Sequence, residues 1–185
     1  MSRTLLLGAA GVMALAIAAC APAMQVSSHV DRERDFSHYQ TFNWGAADPL
    51  PTGDPRLEED PLFRDRVQGA IERQLRRRGL TLVSSAPDLL IHFHASITED
   101  LQVAPDATRD RYGACYGAGC GTDLIGTEKG TLVIDLVDAS TDTLVWRGWA
   151  RDSVADLLDD PDKMAATIDE AVTRMFERLP ASLGH

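Results

Sequence analysis

The stretch that decides the fold is GTLVIDLVDASTDTLVWRGWA, residues 130–150, in which two alternating runs flank a short polar segment. Successive side chains of a β-strand point to opposite faces of its sheet, so this alternation predicts strands with one buried face. The segment ASTD between the two runs favours a turn. Residues 130–150 therefore predict an antiparallel β-hairpin.

The two faces of this hairpin are predicted to hold different residues. The core face is expected to carry Leu132, Ile134 and Leu136 of the first strand with Leu144 and Trp146 of the second. The opposite face is expected to carry Asp135, Val137, Val145, Arg147 and Trp149, together with Val133.

This second face is unusually apolar for a surface in contact with water. Exposed apolar patches often mark partner sites, and Trp and Arg are enriched among binding hot spots. Asp135, Arg147 and Trp149 therefore form a candidate partner patch. Two alternatives stay open: the glycine-rich segment 112–126 folds back and seals the face, or Arg147 and Trp149 pack only as a cross-strand pair.

Further strands are predicted ahead of the hairpin. Residues 88–98 alternate most clearly, with one face formed by Leu89, Ile91, Phe93, Ala95 and Ile97. Shorter strands are predicted at residues 25–30, at the end of 36–44, and at 80–83. A glycine-rich loop is predicted at about residues 104–129.

Two amphipathic helices complete the pattern. They are predicted to start at Asp60-Pro61 and at Asp160-Pro161, because Asp caps free N–H groups and Pro suits the first helical position. The apolar face of the first helix comprises Phe63, Val67, Ala70, Ile71 and Leu75, and that of the second Met164, Ile168, Val172, Met175, Phe176 and Leu179. Neighbouring strands favour antiparallel pairing. We predict an α+β two-layer sandwich, with a mostly antiparallel sheet and both helices on one face, as a single domain over residues 26–185.

The N-terminus has the features of an export signal. Arg3 precedes sixteen uncharged, mostly apolar residues, 4–19, which are fewer than the roughly 20 that a membrane-spanning helix needs. The following Ile17-Ala18-Ala19-Cys20 resembles a bacterial lipobox. The resemblance implies that residues 1–19 are a lipoprotein signal peptide, that Cys20 becomes lipidated and acylated, and that residues 20–25 are a short tether. Ala21, rather than Asp, after the cysteine is typical of an outer-membrane destination.

The overall charge of the chain indicates which classes of partner it can bind. The chain has 18 Lys and Arg against 28 Asp and Glu, a formal net charge of −10, which argues against nucleic acid as a partner. The expected partners are the membrane, through the lipid anchor, and an envelope protein. No cofactor is predicted.

The remaining cysteines are Cys115 and Cys120. An even number of cysteines in an exported protein favours a structural disulfide between them. Free thiols, and metal or redox chemistry, are the alternatives.

His92 and His94 are the strongest candidates for chemistry. Two His residues separated by one position lie on the same face of a strand, a geometry that zinc sites use when a third ligand is added. The alternative function is therefore a metal-dependent or hydrolytic envelope enzyme that uses these two residues. Because two polar residues on the solvent face of a strand are commonplace, we expect neither a metal site nor a catalytic site, and we expect a binding or scaffold module instead of an enzyme.

Four segments together resemble one bacterial lipoprotein family. They are FSxYxTFxW at residues 36–44, PDLLI at 87–91, GTLVIDLVD at 130–138 and LVWRGWA at 144–150. In this order they are similar to the family called domain of unknown function 4136, over about residues 26–180. The resemblance implies an outer-membrane-associated domain facing the periplasm, and it implies no catalytic residues.

Overall fold

The computed structural model describes residues 24–46, 54–58, 60–103 and 124–184. In chain order, the elements are β1 (Gln25–Val30), β2 (Thr41–Trp44), α1 (Pro55–Glu58), α2 (Pro61–Arg77), β3 (Thr81–Leu82), β4 (Leu89–Val103), β5 (Leu124–Asp138), β6 (Thr143–Ser153) and α3 (Pro161–Phe176). The predicted α+β class is confirmed.

The strands form one sheet in the order β1-β6-β5-β4-β2-β3. β1 pairs antiparallel with β6, β6 with β5, and β5 with β4, whereas β2 runs parallel to both β4 and β3. The sheet is therefore mixed but mostly antiparallel, as predicted.

Both long helices begin where the Asp-Pro pairs predict. The Asp60 carboxylate accepts a hydrogen bond of 2.9 Å from the Leu62 backbone N–H, and Asp160 accepts bonds of 3.1 and 3.0 Å from the N–H groups of Asp162 and Lys163. These bonds satisfy donors that have no partner inside the first helical turn. α2 ends at Arg77, and Gly79 follows with a φ of +87°, which glycine adopts without strain. Among the described residues, no helix is long and apolar enough to cross a membrane.

The core lies between these helices and one face of the sheet. The apolar residues predicted for the two helix faces are all buried, as are Leu132, Ile134, Leu136 and Trp146 of the hairpin. The Trp146 indole packs edge-on against Phe176 of α3, with the ring centroids 5.6 Å apart. Burial of this face accounts for most of the driving force for folding.

A β-bulge changes which residues of β6 face the core. Leu136 pairs with Trp146 but Val137 pairs with Leu144, so Val145 is an extra residue between them. Val145 is completely buried, whereas Leu144 lies beside Val137 on the other face and is only half-buried. The predictions that Leu144 faces the core and that Val145 faces away from it are wrong. The inserted residue reverses the alternation on one side of the bulge.

The β4–β5 hairpin is longer than the sequence predicts. β4 extends to Val103 and β5 begins at Leu124, and the two strands stay paired throughout. Residues 124–129, predicted to belong to the glycine-rich loop, are therefore part of a strand, and so are residues 99–103. None of these residues belongs to the buried core, and their sequence lacks the apolar alternation on which the prediction relied.

Candidate functional site

The sheet face opposite the helices carries a bidentate ion pair between β5 and β6. Asp135 and Arg147 are direct partners in the register. Arg147 Nε donates to Asp135 Oδ1 and Arg147 Nη2 donates to Asp135 Oδ2, each over 2.6 Å. Hydrogen bonds to Asp135, together with its charge, raise the pKa of Arg147 above its already high value. The guanidinium is thus fixed in position as a permanent cation.

Burial differs between the two members of this pair. The Asp135 residue retains 5% of its surface exposure, whereas the Arg147 side chain is 46% exposed. A buried carboxylate is stable only when it is paired and hydrogen-bonded. Asp135 therefore depends on Arg147, while the outer edge of the guanidinium remains accessible.

Trp149 lies on the same face, two residues along β6 from Arg147. Its register partners are Val133 on β5 and Ser27 on β1, and 36% of its surface is exposed. The structure thus brings the predicted patch residues Asp135, Arg147 and Trp149 together on one face. Residues 124–126, part of the segment predicted to seal it, are in β5, and the rest of that segment lies outside the described residues.

His92 and His94 also lie on this face, as predicted. His92 is opposite Asp135 and His94 is opposite Val133. The His92 imidazole lies directly over Gly45, where a Cβ atom would come within 2.1 Å of the ring. Within residues 24–46, 54–58, 60–103 and 124–184, no group of three or more His, Cys, Asp or Glu side chains is placed to hold a metal ion.

The register joins these residues into a polar row across four strands. His29 on β1 is opposite Arg147, which is opposite Asp135, which is opposite His92 on β4. Directly opposed residues in a sheet have Cβ atoms about 4.5–5.5 Å apart, so these side chains are neighbours on the face. His29 is not among the residues predicted for the partner patch. Its position follows from the pairing of β1 with β6, which no local pattern in the sequence reveals.

Asp138 is a second buried carboxylate, and its structural role was not predicted from the sequence. Its Oδ1 atom accepts bonds of 2.6 Å from the Ser140 hydroxyl, 2.9 Å from the Ser140 N–H and 3.1 Å from the Thr141 N–H, and its Oδ2 atom accepts a bond of 2.9 Å from the Tyr39 hydroxyl. The Ser140 hydroxyl, followed by the other donors, holds the pKa of Asp138 far below its usual range. The order Asp-x-Ser-Thr is a local signal for the turn, but the Tyr39 contact, 99 residues away, has no such signal.

An apolar cavity lies at one end of the sheet. The cavity has a volume of about 90 Å³, and its lining includes Met24, Ile97 and Gly130 with the first turns of α2 and α3. Met24 is the first described residue and is buried. The end of the domain at which the chain enters the fold is therefore the end at which the long helices begin.

Three predicted residues lie outside the described part of the chain. They are Cys20, Cys115 and Cys120. Lipidation at the first and pairing of the other two stay predictions.

The fold and the site define an α+β sandwich domain with one helix-covered sheet face and one face that carries a fixed ion pair beside a tryptophan. A family model described as Domain of unknown function (DUF4136) matches residues 26–181, and the chain belongs to this family. The resemblance seen in the sequence is confirmed. Comparison with curated proteins finds no match.

Solved structures similar to the chain include a PDZ domain protein from Parabacteroides distasonis, with a TM-score of 0.50 and 15% identity over 82% of this chain and 35% of that one. The chain spans about a third of that protein's length, and at this identity the likeness shows the fold alone. A PelC dodecamer from Paraburkholderia phytofirmans has a TM-score of 0.46 at 9% identity, covering 85% and 98% of the two chains. A minor lipoprotein from Acinetobacter baumannii has a TM-score of 0.38 at 10% identity, covering 76% and 91%. The last two scores do not establish a shared fold.

Proposed function

We propose that this chain is a lipoprotein anchored through Cys20 to the outer membrane, facing the periplasm, and that it acts there as a non-enzymatic binding module. The lipobox-like Ile17-Ala18-Ala19-Cys20 supports the anchor. The fixed Asp135–Arg147 pair beside the exposed Trp149 is the observation that carries the binding role.

This arrangement suits recognition because it is already ordered before a partner arrives. A guanidinium has five N–H donors, and Asp135 takes two of them, which leaves the others for acceptors on a partner. Two hydrogen bonds hold the Arg147 side chain, so binding requires little further ordering of it. Trp149 adds an apolar surface at the adjacent position of the same face. The expected partner is an envelope protein that presents carboxylate or carbonyl oxygens next to an apolar side chain.

The anchor is tested by replacing Cys20 with Ser. We expect the Cys20→Ser protein to lose its lipid and to leave the outer-membrane fraction, because the serine oxygen does not replace the thioether sulfur. Several buried acyl chains, at about 0.8 kcal/mol per methylene, make the wild-type attachment effectively permanent. The measurement is fractionation of envelopes together with mass spectrometry of the N-terminal peptide.

Cys115→Ser is the matched control for this experiment. It removes one sulfur from the same chain and should leave the protein in the outer-membrane fraction. If Cys20→Ser fractionates with the outer membrane as tightly as wild type, the proposed anchor is wrong.

The binding face is tested by replacing Trp149 with Ala. We expect a cost of about 1–2 kcal/mol in the free energy of unfolding, below that of a fully buried Trp, because the side chain is partly exposed. The same change should remove from crosslinked envelopes a protein that co-purifies with wild type, as expected for the loss of a hot-spot residue. Urea unfolding and quantitative mass spectrometry of the crosslinked material measure the two effects.

Leu82→Ala is the control, since Leu82 is another exposed apolar side chain of the sheet and equals Trp149 in fractional exposure. It should keep the co-purifying protein. Retention of that protein by Trp149→Ala would refute the binding role of this face. A loss of about 3–5 kcal/mol in the Trp149→Ala variant would show instead that the face is part of the core.

A further inference from the structure

Three large apolar side chains are strongly exposed at one end of the domain. Leu62 is 57% exposed, Leu101 is 61% exposed and Ile125 is 53% exposed. Leu101 and Ile125 lie on the β4–β5 hairpin, and Leu62 lies in the first turn of α2.

The register shows that the β4–β5 hairpin projects beyond the rest of the sheet. Gln25, the first residue of β1, pairs with Arg151 on β6. Arg151 pairs with Thr131 on β5, and Thr131 pairs with Ser96 on β4, so Gln25 and Ser96 lie in one row across the sheet. Met24 is therefore level with Ile97, and both line the apolar cavity. Leu101 lies four residues further along β4, which at 3.3 Å per residue places it about 13 Å beyond the point where Met24 enters the fold.

Ile125 lies slightly further out, and on the other face of the hairpin. It pairs with Gln102, so it lies about 16 Å beyond Met24 at the same rise per residue. Leu101 is on the face that continues from the helix-covered side, and Ile125 is on the face that continues from Arg147. The described part of the hairpin that lies farthest from Met24 thus presents an apolar side chain on each face.

The chain that precedes the domain is short. Met24 is the fourth residue after Cys20, and at 3.3–3.6 Å per residue the distance between them is at most about 14 Å. A chain lipidated at Cys20 therefore holds this end of the domain against the bilayer. The largest reach of the tether is close to the projection of the hairpin, so even a fully extended tether leaves Leu101 and Ile125 near the level of the lipid attachment.

Two acidic residues of this part of the hairpin, Asp100 and Glu128, form ion pairs. Arg151 Nη2 lies 2.8 Å from Asp100 Oδ1, and Arg56 Nη2 lies 2.8 Å from Glu128 Oε1. Pairing reduces the repulsion between these carboxylates and anionic lipid headgroups. In a chain with a net charge of −10, these two pairs lower the negative charge near Leu101 and Ile125.

We propose that the projecting β4–β5 hairpin is a membrane-contact element, in which Leu101 and Ile125 insert into the interface of the bilayer that carries the Cys20 lipid. This proposal rests on the proposed lipid anchor. It fixes how the domain stands on the membrane: the hairpin and the starts of the long helices face the lipid, and the opposite end of the sheet faces away.

Spin labels on the lipidated protein test the orientation. Leu101→Cys and Ile125→Cys are made separately in a chain with Cys115→Ser and Cys120→Ser, labelled with a nitroxide, and reconstituted into vesicles of phosphatidylethanolamine and phosphatidylglycerol. We expect both labels to lose most collisions with a water-soluble nickel chelate and to gain collisions with membrane-dissolved oxygen. This is the behaviour of side chains buried about 5–10 Å into the headgroup boundary.

Leu82→Cys is the matched control in the same background. Leu82 is an exposed leucine in the same sheet, and it pairs with Phe42, which pairs with Leu89 at the other end of β4. A label at Leu82 should collide with the nickel chelate and not with membrane oxygen.

The outcomes separate the contact from the anchor. If the labelled protein floats with the vesicles but the labels at Leu101 and Ile125 behave like the label at Leu82, the membrane contact is refuted while the anchor stands. If those labels are shielded from nickel and oxygen alike, a protein surface covers the hairpin and the membrane contact is refuted. If the protein does not float, the anchor and the contact that rests on it are both refuted.

Discussion

Replacing Gly148 with Ala is expected to destabilise the protein by about 3 kcal/mol, the upper end of the usual cost of overpacking a core. Gly148 lies on the core face of β6, and a Cβ atom there would come within 2.3 Å of the Trp146 indole. The indole cannot move away easily, because Trp146 is completely buried and packs against Phe176. Urea unfolding of the purified domain measures the loss.

A double variant shows whether the indole is the cause. Trp146→Phe removes the indole ring atoms that the new Cβ would meet, so Gly148→Ala should cost much less in that background than in wild type. Gly69→Ala is a control that should raise the free energy of unfolding instead of lowering it. Gly69 lies inside α2, and its Cβ would approach only the flexible end of Arg73, so we expect a gain of about 0.5–1 kcal/mol. Equal costs of Gly148→Ala in the two backgrounds would contradict the packing explanation.

Replacing Asp138 with Ala is expected to cost about 3 kcal/mol, because it leaves the donors of Tyr39, Ser140 and Thr141 without their charged acceptor. The contact with Tyr39 joins the segment ahead of β2 to the end of β5, and the contacts with Ser140 and Thr141 order the β5–β6 turn. Burial, followed by the hydrogen bond to Asp138 and its charge, raises the pKa of Tyr39 to about 12.

Asp138 also makes the stability depend on pH. Its pKa is lowered in the folded protein, so its contribution is complete above the unfolded-state pKa of about 3.9 and is lost as the pH falls below that value. We expect the free energy of unfolding of wild type to fall more steeply below pH 4 than that of Asp138→Asn. Burial raises the pKa of Asp88, but hydrogen bonds from Gln40 and Thr41 outweigh this effect and lower the pKa overall. The free energy of unfolding of both proteins should therefore keep some dependence on pH in this range.

Tyr39→Phe is the control for this pH experiment. It removes one donor but keeps the Asp138 carboxylate and its bonds to Ser140 and Thr141, so the slope below pH 4 should stay close to that of wild type at a cost of about 1.5 kcal/mol. Denaturant titrations at several pH values provide the measurement. Identical slopes for wild type and Asp138→Asn would show that Asp138 does not titrate in this range.

Local chemistry in the sequence determined the class of the fold. Alternation at residues 130–150 and the Asp-Pro pairs at 60–61 and 160–161 act over a few residues, through side-chain direction and helix capping, and the structure has strands and helices at these places. The placement of Asp135, Arg147 and Trp149 on one face follows from the same alternation, because the β-bulge lies at Val145, ahead of Arg147 and Trp149.

Tertiary structure decided what depends on partners distant in the sequence. The bulge at Val145, the row from His29 to His92 and the bond from Tyr39 to Asp138 each need a register or a contact between separate elements. The length of the β4–β5 hairpin escaped prediction for a different reason. A strand shows apolar alternation only where one face is buried, and the projecting end is not part of the buried core, so its strand character comes from the cross-strand pairing of the backbone alone.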